Sequence, residues 1–95
     1  MRKATISRPQ KVVLPFSKGK IMIDNYECDI IKPGKTVTVE IPDGNHYLQV
    51  IFAALPPVLS DVVQIMEEDG DLEFEIKIIV PLTNGVETYA TLTRR

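Results

Sequence analysis

The chain has no tryptophan, one cysteine and one histidine. With Cys28 alone, an intrachain disulfide and a thiolate metal cluster are both excluded. A Gly-rich phosphate loop, Cys/His metal spacing and a paired-carboxylate signature are likewise missing. No run of about eighteen apolar residues occurs, so the sequence holds no transmembrane helix. The first sixteen residues, MRKATISRPQKVVLPF, are basic but have no sustained apolar stretch and no small-residue cleavage site. On that ground the chain is expected in the cytoplasm, or at the envelope if a leader has been removed. No reactive constellation is present, and an enzyme is not expected.

What is present is an ordinary globular composition: 95 residues, 44% apolar and 25% charged, enough for one domain with one core. Charge is unevenly placed. Residues 1–20 carry six bases and no acid, whereas residues 21–95 carry thirteen acids against five bases. Residues 1–10 read as an irregular basic lead-in that aids solubility, and 11–95 as a single β-sandwich domain. The arm has no interleaved aromatics and the rest of the chain would repel a polyanion, so nucleic acid is not an expected partner.

The stretch 35–52, KTVTVEIPDGNHYLQVIF, gives the clearest pattern. Thr36, Thr38 and Glu40 alternate with Val37, Val39 and Ile41, a period of two that fits a half-buried strand. Pro42-Asp43-Gly44-Asn45 supplies turn chemistry, and His46–Phe52 is expected to return as the partner strand with Leu48, Val50 and Phe52 on one face. Elsewhere, Lys11–Phe16 is a candidate first strand limited by Pro15 to an edge. Lys20–Asp24 and Tyr26–Ile31 are joined by a tight reversal at Asp24-Asn25, and Lys32-Pro33-Gly34 is ordered as a type II turn prefers. Ala53–Val58 is an extended connector, and Asp61–Met66 reads as a strand although Val58, Val62 and Met66 also fit helical spacing. Leu72–Val80 alternates cleanly, and Asn84-Gly85 joins it as a hairpin to Val86–Thr93. Pro81, just before that turn, implies a bulge or an edge. Cys28, among acidic neighbours in a strand, reads as a small buried hydrophobe.

About eight short strands with no required helix give an all-β fold, an antiparallel β-sandwich of about seven to eight short strands, immunoglobulin-like or prealbumin-like. Two packed sheets bury the apolar stripes that one sheet alone would leave wet.

Residues 21–50, IMIDNYECDIIKPGKTVTVEIPDGNHYLQV, resemble the pattern of PEGA-type and related small β-sandwich repeats. The matching residues are Asp24, Pro33, Gly34, Val37, Val39, Pro42, Gly44, His46, Leu48 and Val50. Asn25 stands where such repeats usually have glycine, and asparagine also accepts positive φ. The resemblance implies a non-catalytic module, often on bacterial envelope or surface proteins, with no general ligand or reaction attached.

Candidate chemistry is sparse. His46 has Asp43 nearby, but a ring bonded to the turn backbone is the better expectation than acid–base catalysis. Glu67, Glu68, Asp69 and Asp71 are calcium candidates, without the spaced ligands of an EF-hand loop. Tyr47, Gln49 and Ile51 share the strand face opposite Leu48 and are candidates for a protein contact. Exposed tyrosines, Tyr26, Tyr47 and Tyr89, would suit a carbohydrate. The function expected is protein–protein contact, with self-association as a homodimer one form of it; the alternative is a ligand-binding module for calcium or carbohydrate.

Overall fold

The computed structural model describes residues 2–9, 18–53, 57–79 and 89–95. Nine strands and no helix are found among them. They are β1 (Arg2–Ser7), β2 (Gly19–Ile23), β3 (Tyr26–Ile31), β4 (Thr36–Ile41), β5 (His46–Phe52), β6 (Val58–Leu59), β7 (Val63–Ile65), β8 (Leu72–Ile79) and β9 (Tyr89–Arg94). One sheet has the order β4-β1-β8-β9; the other has β3-β2-β5-β6, with β7 also pairing β5. The result is an all-β, sandwich-like domain whose two sheets share one core. Pairing is not purely antiparallel, because β1 runs parallel to β8 from Ala4↔Leu72 to Ser7↔Glu75.

Two-residue alternation sets which side chains fill that core. Val39 and Ile41 of β4, Leu48, Val50 and Phe52 of β5, and Leu72, Phe74 and Ile76 of β8 are all buried. Ile21 and Ile23 of β2 are buried in the same cluster, and Val37 and Ile78 pack against it. The candidate strand at Lys11–Phe16, the Asn84-Gly85 turn and Pro81 lie outside the described residues, but β8 and β9 do pair as that turn implies.

The reading of 35–52 as a hairpin is overturned. β4 pairs with β1 and β5 pairs with β2, each in a different sheet. Pro42–Asn45 is therefore a corner that carries the chain across the core from one layer to the other. Its turn residues suit both roles: Gly44 adopts φ 101°, and a Pro-x-Gly bend does not itself dictate lateral pairing. The local hairpin is instead β2–β3. Asp24 and Asn25 both take positive φ, 51° and 68°, as a two-residue I′ turn demands. Gly34 at φ 74° and the Lys35 N–H to Lys32 carbonyl bond of 3.2 Å complete the expected turn after Pro33.

The irregular lead-in is overturned as well. Arg2–Ser7 is an inner strand, held antiparallel to β4 on one side and parallel to β8 on the other. Its even-numbered side chains, Arg2, Ala4, Ile6 and then Arg8, all point into the molecule, and the two arginines are only 9% and 4% exposed. The six early bases hide an Ala-x-Ile alternation too short to stand out. Arg8 lies over the Phe52 ring, 4.7 Å from its centroid, and its Nη1 donates to the Ile31 carbonyl at 3.3 Å. Burial lowers the Arg8 pKa. Gly19 closes the same region: a Cβ there would stand 2.9 Å from Ile31 and 3.0 Å from Phe52 and Val50.

Cys28 is exposed, contrary to expectation. The register slips between Ile21 and Met22, so Asp29 and Glu27 take the paired positions and Cys28 is the extra residue of a bulge. Because β3 is an edge strand, the bulged side chain has no second layer to enter. The 61–66 segment resolves into the short strand β7, Val63–Ile65, preceded by β6. Between them Ser60 is buried; its hydroxyl accepts from the Val50 N–H at 2.8 Å and donates to the Asp61 carbonyl at 2.9 Å. Ser60 also bridges to Ala90, and Asp61 accepts the Leu92 N–H at 2.7 Å, so this seam ties the two sheets together.

Candidate functional site

At one end of the sandwich three loops meet: the β2–β3 turn, the Pro42–Asn45 corner and the acidic turn between β7 and β8. Arg2 stands among them. Its Nη2 donates to the carbonyls of Pro42 (2.9 Å) and Gly44 (2.5 Å), and its Nη1 to those of Asp69 (3.3 Å) and Met66. The planar fork of a guanidinium offers several donors at fixed angles, which lets one side chain hold two loops. Its Nε is buried and without a hydrogen-bond partner. Asn45 adds a link across the same gap, accepting the Glu67 N–H at 2.6 Å.

The acidic turn is organised inward as much as outward. Asp69 accepts the Met66 N–H at 2.9 Å and pairs with Arg94 at 3.3 Å. The Met66 N–H, and then Arg94, hold its carboxyl below the usual carboxylate range. Asp71 accepts the Lys3 N–H at 2.9 Å. Glu67 and Glu68 are exposed. The four calcium candidates are thus not gathered around one point, and among the described residues no group of three or more His, Cys, Asp or Glu is placed to hold a metal. Two of the four carboxylates cap backbone N–H groups instead.

His46 begins β5 and fixes the remaining loop. Its Nδ1 lies 2.5 Å from Asp24 Oδ2 and its Nε2 3.1 Å from the Asp43 carbonyl. Both partners are acceptors, so the arrangement is fully satisfied in the imidazolium form, where both ring nitrogens donate. The hydrogen bond to Asp24, followed by that to Asp43, raises the His46 pKa. Asp24 is lowered by His46 and by the Tyr47 N–H, which its Oδ1 accepts at 2.9 Å. The carboxylate partner is therefore Asp24, twenty-two residues away, and Asp43 contributes only its carbonyl. No nucleophile completes a catalytic geometry with this pair among the described contacts. The sequence signal for the Asp24 contact was the positive-φ turn, which swings that carboxylate toward β5.

The protein-contact candidates lie on the outer face of the five-stranded sheet. Tyr47 is 54% exposed, and Gln49 and Ile51 are half-buried. Gln49 spends its side-chain amide on the Ser60 carbonyl at 3.0 Å, bracing the sheet from outside. Ile51 is one member of a row that crosses four strands in register: Ile30, Lys20, Ile51 and Leu59. Leu59 is 50% and Ile30 39% exposed. Sequence alternation found Ile51 but not its neighbours, because the row depends on which strands pair. The three tyrosines do not form one platform: Tyr89 opens β9 at the far end of the other sheet from Tyr47.

Comparisons with protein-family models, with curated proteins and with solved structures found no match to this chain.

Proposed function

We propose that this domain is a non-catalytic module that works by protein contact through the outer face of its five-stranded sheet, the occupant being a second copy of the chain. One observation carries the reading: the cross-strand row Ile30–Lys20–Ile51–Leu59, with Tyr47 further along β5, leaves large apolar side chains in water on a face that no described element covers. Apolar groups gathered in register are a contact surface in a way that singly scattered ones are not. Lys20 lies within the row, between Ile30 and Ile51, and its charge is partnered by Glu27 at 3.7 Å. The likeness of 21–50 to PEGA-type repeats accords with a module of this kind.

The test is the mass in solution at about 0.3 M salt, where exposed charges are screened. The wild-type chain is expected to show a concentration-dependent mass, and the double variant Ile51→Thr, Leu59→Glu to stay monomeric with an unchanged circular dichroism spectrum. A wild-type mass that does not move with concentration would reject the reading.

A further inference from the structure

The charges of this chain are sorted along its strands. The end formed by Arg8, the Lys32–Lys35 turn and the entry to β2 carries Lys18, Lys32 and Lys35, all exposed; the acid in register with its edge, Glu75 opposite Ser7, is half-buried and pairs with Arg95. None of these three lysines makes an ion pair with a described residue. The opposite end carries Asp24, Asp43, Glu67, Glu68, Asp69 and Asp71. Its cations are mostly spent internally: Arg2 on four carbonyls, His46 on Asp24, and Arg94 on Asp69. Glu67 and Glu68 project from the turn without an ion-pair partner among the described residues. About 20 Å of strand, the length of β1, separates the two ends.

We propose that copies of this chain associate end to end, the carboxylate-bearing end of one against the lysine-bearing end of the next. Complementary charge argues for this occupant. A polyanion would satisfy the lysines but would be repelled by the rest of the molecule, whereas a second copy satisfies both ends at once. The contact joins two different surfaces, so it does not close on itself and builds short open chains. It is small and polar, which makes it transient and sensitive to salt. This contact is independent of the sheet face: one is electrostatic and lost in salt, the other apolar and retained.

The experiment is sedimentation equilibrium of the whole chain at about 10 mM and about 150 mM ionic strength, where the screening length falls from about 30 Å to about 8 Å. The salt-sensitive part of the association is expected to weaken by about tenfold or more. Two charge-reversal variants locate it. Lys32→Glu with Lys35→Glu makes both ends acidic, and Glu67→Lys with Glu68→Lys makes both basic. At low salt neither variant should show the salt-sensitive association alone, and their equimolar mixture should recover it. All four side chains are exposed, so neither variant should unfold, which circular dichroism checks. A wild-type mass insensitive to salt overturns the proposal, as does salt-sensitive association of either variant alone or a mixture that stays apart. Binding of inorganic polyphosphate that depends on Lys32 and Lys35, without self-association, would assign the lysine end to an anion and overturn it too.

Discussion

The two ends of β1 solve one problem in different ways. Each must bury an arginine that the alternation turns inward, Arg2 at one end and Arg8 at the other. Arg2 is surrounded by backbone carbonyls from two loops and, with the Asn45–Glu67 link, holds them together. Arg8 is stacked on Phe52, beside strand ends already fixed by the β-ladder, and donates to the Ile31 carbonyl. A buried cation can therefore either assemble loops or close over a core that exists without it. The first is the more expensive to lose, since carbonyls left unpaired in a buried site cost more than a lost ring contact.

The largest effect should come from Arg2→Met. It leaves up to four carbonyls without their donor, and unfolding in denaturant should show a loss of about 3–5 kcal/mol. If the carbonyls regain partners from water at no cost, the loop-assembly account fails. Arg8→Met should cost less, about 1–3 kcal/mol, because the thioether still covers the Phe52 ring. An equal loss at both ends would erase the distinction. The lysine variants sharpen it: a point ammonium cannot span two loops, so Arg2→Lys should lose most of what Arg2→Met loses, while Arg8→Lys retains much of its ring contact. Beneath Arg8, Gly19→Ala should destabilise by about 1–2 kcal/mol, since the new methyl meets Ile31, Phe52 and Val50 closer than packed carbons sit. A neutral or stabilising result would mean that the Phe52 end yields more readily than its packing implies.

The smallest effect is the pH response of the Arg2 end. His46 has its folded pKa raised, so its contribution is full below the unfolded value of about 6.5 and is lost as pH rises through the folded value. Asp24 has its folded pKa lowered, so its contribution is present above about 3.9 and lost as pH falls through the folded value. Melting temperature should therefore be highest between those two limits and decline on either side. Arg2 opposes the charging of His46 from β1, Asp24 and the Asp43 carbonyl favour it, and Asp69 across the loop end is held ionised by Met66 and Arg94. His46→Gln should flatten the alkaline decline. A variant whose melting curve still falls there like the wild type would remove His46 as its cause.

Much of the fold was legible residue by residue. Leu72, Phe74 and Ile76 announced a buried stripe, Pro33-Gly34 its turn, and Asp24-Asn25 the only described hairpin that formed where turn chemistry placed it. Tyr47, Gln49 and Ile51 were put on the correct face. The misses share one cause. β4 and β5 were joined because a Pro-x-Gly bend says that the chain reverses, and nothing about the layer in which it resumes. Cys28 reads as buried from sequence because a bulge leaves no sequence mark, and the first ten residues read as a solvated basic lead-in because their charge outweighs a parity of only four positions.

Alternation along the chain is a local property, and by itself it determined which side chains face inward and where the backbone turns. Partner choice is not local. Which strand lies beside which, and so the mixed sheet, the corner at Pro42–Asn45, the buried arginines and the row on the outer face, was decided only when every backbone N–H and carbonyl had to find a partner at once around a single core.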